Sequence, residues 1–211
     1  IGPNAIVCEG AEIGRGTVIY PQVYVGPGVK IGASCEIHPS TILVTHVEIG
    51  DRVRIFSGTV IGSEGFGFLE GDAGYTEMPQ LGRVIIESDV RIGAKCTVDR
   101  GTLGETRIGS GTKIDDQVHV GHNAIIGKNC ILCGQVGLSG SCTLEDGVIL
   151  AGQVGVAGHL TIGKRAVIGG QTGVGTDLDG GKTYFMTPAI EMAHAMRVIR
   201  QQRKLPEIAE R

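Results

Sequence analysis

Two histidines three residues apart, His119 and His122, lie in the run Asp115-Asp116-Gln117-Val118-His119-Val120-Gly121-His122-Asn123-Ala124. By residue type they are the best-placed groups in this chain to move protons, because histidine titrates near neutrality and serves readily as a general base. A metal site, a catalytic base and an idle surface pair all fit so short a pattern. For a metal, only this HxxH and the distant His159 are on offer. A shared ion needs every ligand atom about 2 Å away, so we expect no metal here. His38, His46 and His194 have no comparable neighbours and read as surface residues.

The bulk sequence limits what these histidines could serve. A net charge of −3 over 211 residues provides no basic field for nucleic acid. No apolar run approaches the roughly 18 residues of a membrane span, and we expect no signal peptide. The chain begins at Ile1, already inside a repeat, and reads as a portion of something longer. With 36 Gly, no Trp, four Phe and four Tyr, the core must be built from Ile, Val, Leu and small residues. Of the six cysteines, Cys35, Cys96, Cys130 and Cys142 take small inward places in the repeat. Cys130-Ile-Leu-Cys133 has no second CxxC to complete a four-ligand site, so buried, reduced thiols of a cytoplasmic protein are expected.

The elements that position the histidines follow from a six-residue period. Every sixth residue from Ile1 to Ile61 is β-branched or Leu, and the small or β-branched residue four places on turns the corner. The pattern breaks near 63, resumes at Ile86, is interrupted by four residues (104–107), and then runs from Ile108 to Val174. A period of 3.6 would mark a helix; a period of 6 marks a short strand plus a corner, with three hexads per 18-residue triangular coil. The fold expected is an all-β solenoid, a left-handed parallel β-helix over 1–179 with a protruding loop at 63–84. A linker and helix follow over 180–211, Ile190, Ala193, Met196 and Ile199 having helical spacing. Arg197, Arg200, Arg203 and Lys204 form a basic cluster there, suited to an acidic partner.

Stacking converts spacing into geometry, since residues 18 apart lie about 4.8 Å above one another. His119 then heads a column of Gly137, Gly155 and Gly173, and His122 stands over Gly140 and Gly158, with His159 next in sequence. Gln117, Gln135, Gln153 and Gln171 form an amide ladder. Other corners use Lys-Asn or Glu-Asp, so two adjacent glycine columns are not explained by turn chemistry alone. They imply a bare groove roughly 10–15 Å long, fit for an acyl chain or pantetheine arm and left open at Gly173 and Gly175 so that long chains fit. Acyl transfer is the chemistry expected: a histidine as base, Asp115 fixing the imidazole tautomer, and a backbone N–H at a side-chain-free position such as Gly140 meeting the oxyanion. A structural or ice-binding solenoid would show regular outward Thr ladders, which this sequence lacks.

Four segments carry a family resemblance: GFGF (65–68), MPQLGRVIIESDVRIGAKCTVDRGTL (78–103), KIDDQVHVGHNAIIG (113–127) and AGQVGVAGHLTIG (151–163). Together they look like the UDP-3-O-acylglucosamine N-acyltransferases of lipid A biosynthesis. The resemblance implies transfer of an (R)-3-hydroxyacyl chain from acyl carrier protein to the 2-amino group of UDP-3-O-acyl-glucosamine. It implies His122 as base, Asp115 beside it, Gly140 at the oxyanion and His159 on the nucleotide sugar. It also implies a cytoplasmic homotrimer with sites between subunits. No permanent cofactor is implied, the 4′-phosphopantetheine thioester arriving on the carrier, and the C-terminal helix receives that carrier. Phe66, Phe68, Gln135, Gln153, Gly137, Gly155 and Gly173 are taken as substrate contacts. Asp116 and His119 depart from the family pattern, and its N-terminal uridine-binding domain is missing. The sister 3-O-acyltransferase acting on UDP-N-acetylglucosamine is the alternative, disfavoured by the GFGF…PQLGRVIIE loop.

Overall fold

In a computed structural model, which describes residues 1–202, each hexad forms a two-residue strand whose second residue points inward. Ile19, Ile37, Ile55, Ile92, Ile114, Leu132 and Leu150 are almost wholly buried in one such column. The strands stack into three sheets of nine, eight and ten strands, parallel except for the end strand of the ten. These are the three faces of a left-handed triangular prism of about 10 turns. The 18-residue register holds: His119 pairs with Gly137, Gly137 with Gly155, and Gly155 with Gly173. Residues at the corners repeatedly take positive φ, as at Gln117, Asn123, Gln135 and His159.

Cysteine and threonine share one job. The Thr112 hydroxyl donates to the Gly127 carbonyl and accepts from the Cys130 N–H, tying one corner to the next coil. The Cys130 thiol continues the series by donating to the Glu145 carbonyl at 3.2 Å, and Cys96 does the same to Asp115 at 3.1 Å. Burial holds these thiols protonated, pushing Cys96 and Cys142 up to about 11. A thiol reagent applied to native protein at pH 8 should label only Cys8 and Cys133, the two that are not buried. The other four should react only on unfolding; rapid labelling of all six would contradict their role as corner ties.

Three expected boundaries shift. The four extra residues fall at 101–104 rather than 104–107, because Glu105–Ile108 pairs residue for residue with Arg83–Ile86. The chain leaves the coil after Val60–Ser63 and rejoins it at Arg83, so Val84 is already core, paired with Val47. Between them, Phe68–Gly71 and Gly74–Glu77 form an antiparallel hairpin. Beyond 179, Thr183–Phe185 adds a further parallel strand beside Val167–Ile168, and Ile190–Glu191 folds back on it. The helix α1 therefore starts at Met192 and runs to Gln202. Its inward residue is Ala195, while Ala193 and Met196 are exposed, one position out of phase with the expected stripe. Arg197 and Arg200 lie exposed on α1; Arg203 and Lys204 lie outside the described residues.

His38 is not a plain surface residue. Its ring stacks between Tyr20 at 4.7 Å and Phe56 at 4.5 Å, one coil apart on each side, with the Arg91 guanidinium capping Phe56.

Candidate active site

The nine-stranded face carries a groove of about 740 Å³. Gly137, Leu138, Gly155, Val156, Gly173 and Val174 floor it, and Phe66, Asp99, His119 and His122 stand at its mouth. Neither packing nor turn geometry asks for glycine at 137 or 155. A Cβ built there meets nothing within 4 Å, and neither residue has the positive φ that favours glycine. Their effect is to leave the face bare. The far end is not open as expected. The Thr187 hydroxyl accepts from the Gly173 N–H at 3.0 Å, and Thr187 and Pro188 stand over the glycine column as an end wall. Only Gly175 stays bare there.

His122 sits at the corner after the groove-face strand, half-buried beneath the protruding loop. The Gly65 backbone passes so close that a Cβ on it would lie 2.7 Å from the His122 Cβ. Gly140 is glycine for the same reason from above: a Cβ there would collide with the His122 Nε2. On the other side of the ring, Nδ1 lies 3.2 Å from Asn123 Oδ1 and 3.4 Å from Thr102 Oγ1. The Asn123 amide is fixed, since its Oδ1 accepts from the Thr102 N–H at 2.9 Å and its Nδ2 donates to the Leu103 carbonyl. The Thr102 hydroxyl spends its hydrogen on Gln80 Oε1 at 2.8 Å. Both neighbours of Nδ1 therefore present acceptors, so Nδ1 carries the hydrogen and Nε2 keeps its lone pair. That lone pair is aimed over Gly140. Among the described residues the Gly140 N–H donates to no protein group, so it is available to an incoming oxygen.

Asp115 does not take the orienting role within the chain. It lies at the corner before the groove-face strand and His122 at the corner after it, on opposite edges of one prism face. Seven residues of sequence thus span the width of a face, and the Asp115 carboxylate faces Gly134 instead. Asn123 and Thr102 hold the ring, and the acid at the groove mouth is Asp99. Sequence reasoning missed Asp99 because 101–104 interrupts the coil between it and Gly121.

The same geometry removes Gln135 and Gln153 from the groove. They stand on the Asp115 edge, where the ladder Gln117–Gln135–Gln153–Gln171 is bonded amide to amide at 3.1, 2.7 and 2.7 Å. His159 is exposed on the His122 edge, its N–H bonded to the Gly140 carbonyl, just outside the groove lining. Phe66 is 87% exposed at the mouth, and Phe68 packs edge-on against it at 4.8 Å rather than lining the groove.

Two family models match the chain: bacterial transferase hexapeptide (six repeats) over residues 105–140, and hexapeptide repeat of succinyl-transferase over 83–115. Among curated proteins, the UDP-3-O-acylglucosamine N-acyltransferase of Methylobacterium nodulans is 54% identical over 92 residues, 44% of this chain and 26% of that protein. The enzyme of that name from Geobacter sp. is 55% identical over 87 residues, 41% and 25% respectively. The matched segment thus spans about a quarter of these relatives. Solved structures of similar fold include a UDP-N-acetylglucosamine acyltransferase from Bacteroides fragilis, with a TM-score of 0.83 and 26% identity over 90% of this chain and 73% of that one. The Francisella novicida enzyme of that name gives 0.83 and 25% over 100% and 79%.

Proposed function

We propose that this chain, a hexapeptide-repeat β-helix similar in sequence to UDP-3-O-acylglucosamine N-acyltransferases, is an acyltransferase of lipid A biosynthesis. It moves an (R)-3-hydroxyacyl chain from acyl carrier protein to the 2-amino group of UDP-3-O-acyl-glucosamine. The observation that carries this reading is the lone pair of His122 Nε2, aimed over Gly140 at the mouth of a groove floored by bare glycines. The acyl chain lies along that floor, with its thioester carbonyl beneath the Gly140 N–H. The acceptor nitrogen attacks that carbon, His122 takes a proton from it, and the oxyanion is met by the Gly140 N–H. As the C–S bond breaks, His122 returns the proton to the departing pantetheine thiolate.

No resident cofactor takes part, because the 4′-phosphopantetheine thioester arrives with the carrier. Arg197 and Arg200, exposed on α1, supply positive charge for that acidic partner. The working form is a homotrimer in the cytoplasm, its grooves closed from the side by neighbouring subunits. No helix among the described residues is long and apolar enough to cross a membrane.

One observation favours the sister reaction. Solved structures of similar fold bear the name UDP-N-acetylglucosamine acyltransferase. Acyl carrier protein charged with a 3-hydroxyacyl chain, offered with each acceptor in turn, separates the two. Acylation of UDP-3-O-acyl-glucosamine and not of UDP-N-acetylglucosamine is expected. The reverse preference would replace the N-acyltransferase reading with the O-acyltransferase one.

A further inference from the structure

Among the described residues Asp99 is the one acid lining the groove, and its surroundings are unusual for a carboxylate. It is 7% exposed. Ser63 donates to its Oδ1 at 2.8 Å. Among the described residues its only ion-pair neighbour is His119, whose Nε2 lies 3.8 Å from Oδ2, too far for a hydrogen bond. The adjacent Arg100 is turned away, its Nε donating to the Gly62 carbonyl. His122 lies within Coulombic reach without touching the carboxylate. Desolvation raises the acid's pKa, with the Ser63 hydrogen bond and the two imidazoles opposing it. A buried carboxylate with no Lys or Arg partner is costly unless a cation visits it.

Resting on the N-acyltransferase reading, we propose that Asp99, with His119, is the subsite that binds the acceptor as its 2-ammonium ion and so selects an amine over a hydroxyl. An ammonium group has three N–H donors and nothing that accepts. The groove mouth offers three acceptors: Asp99 Oδ2, His119 Nε2 and His122 Nε2. The 3.8 Å gap between the first two is the base of a triangle. The nitrogen takes its apex, at ordinary hydrogen-bond distances of about 2.9 Å. The Thr97 hydroxyl, 2.8 Å from His119 Nδ1, donates to that nitrogen when it is bare and accepts from it when it is protonated. His119 can therefore hold one proton or two. A hydroxyl acceptor brings a single hydrogen and no charge, leaving the carboxylate uncompensated, the kind of mismatch by which polar sites reject an analogue strongly.

The subsite also gives each proton a route. The ammonium passes one proton to His119, whose imidazolium pairs with Asp99 and, being half-exposed, releases it to solvent. The neutral amine then attacks the thioester carbon; the C–N bond forms and the C–S bond breaks. The second amine proton goes to His122 and from there to the thiolate. Ammonium and thioester have become amide, thiol and one released proton.

The test compares wild type with Asp99→Asn on two acceptors, UDP-3-O-acyl-glucosamine and its analogue with a hydroxyl at the 2-position. Wild type should prefer the amine by at least about 100-fold in kcat/KM. The variant should lose about 100-fold on the amine, mostly through KM at pH 6–7, and stay within threefold on the hydroxyl analogue. Its amine activity should recover as pH rises and the acceptor arrives uncharged. Folding is monitored in the same samples. The burial-raised acid stabilises the fold most fully below the unfolded-chain value near ~4, and less as pH climbs through the higher folded value. Removing the charge should therefore leave Tm at pH 7 unchanged or higher. Equal slowing of both acceptors, or an unaffected amine rate, overturns the subsite while leaving the N-acyltransferase reading in place. A wild type that acylates only the hydroxyl analogue overturns both.

Discussion

Replacing His122 with Ala should lower kcat by about a thousandfold, with Tm moving by only a few degrees. A positioned general base contributes about 10²–10⁴ in rate. Here Asn123 and Thr102 fix the direction of Nε2 toward the Gly140 corner. The ring is half-buried under Gly65, so its loss removes a modest packing contact and no core residue. His122→Asn, which keeps a polar group without a base, should be as slow as Ala. Activity surviving in both variants would move the base to His119, whose ring is more exposed and reaches Thr97 and Asp99 instead. Asn123→Ala is the milder companion. It frees Nδ1 and unties the Thr102 N–H, and should cost kcat without raising KM for the acyl donor.

The second large effect concerns the groove itself. Gly155→Met should cut use of long acyl donors about a hundredfold while leaving the coil intact. The new Cβ meets nothing within 4 Å and the backbone there is not left-handed, so the substitution strains neither packing nor φ. The side chain then stands midway along the floor, between Gly137 and Gly173. Displacing about four methylenes from an apolar groove forfeits about 3 kcal/mol at roughly 0.8 kcal/mol each, some two orders of magnitude in kcat/KM. Donors short enough to stop before Gly155 should be used almost as before. Equal rates with long donors in wild type and variant would show that the chain travels elsewhere. Because Thr187 and Pro188 wall off the far end, even the wild-type groove is finite.

The parts of this site that were legible in the sequence are those lying in unbroken repeat. His119 over Gly137, and His122 over Gly140, follow from counting 18, and the bareness of Gly137 and Gly155 follows from their lack of any other reason to be glycine. The parts that were not legible lie where counting fails. Asp99 is separated from Gly121 by the looped-out 101–104, and Thr187 comes after the repeat has ended. Asp115 and the glutamines stand apart from His122 for a different reason: within one chain, a strand two residues long already carries the backbone from one edge of the prism to the next. The Tyr20–His38–Phe56 stack is spaced by 18 and could have been found by the same count that found the glycine columns.

The regular register has one more implication. Each coil touches only the coils above and below it, so a whole coil can be added or deleted without redesigning the remainder. His122 and Asp99 are fixed at one end of the bare floor and the Thr187–Pro188 wall at the other. The length of that floor is therefore a digital property: it can change only in steps of one coil, about 4.8 Å. Anything finer must come from the size of a side chain placed on it.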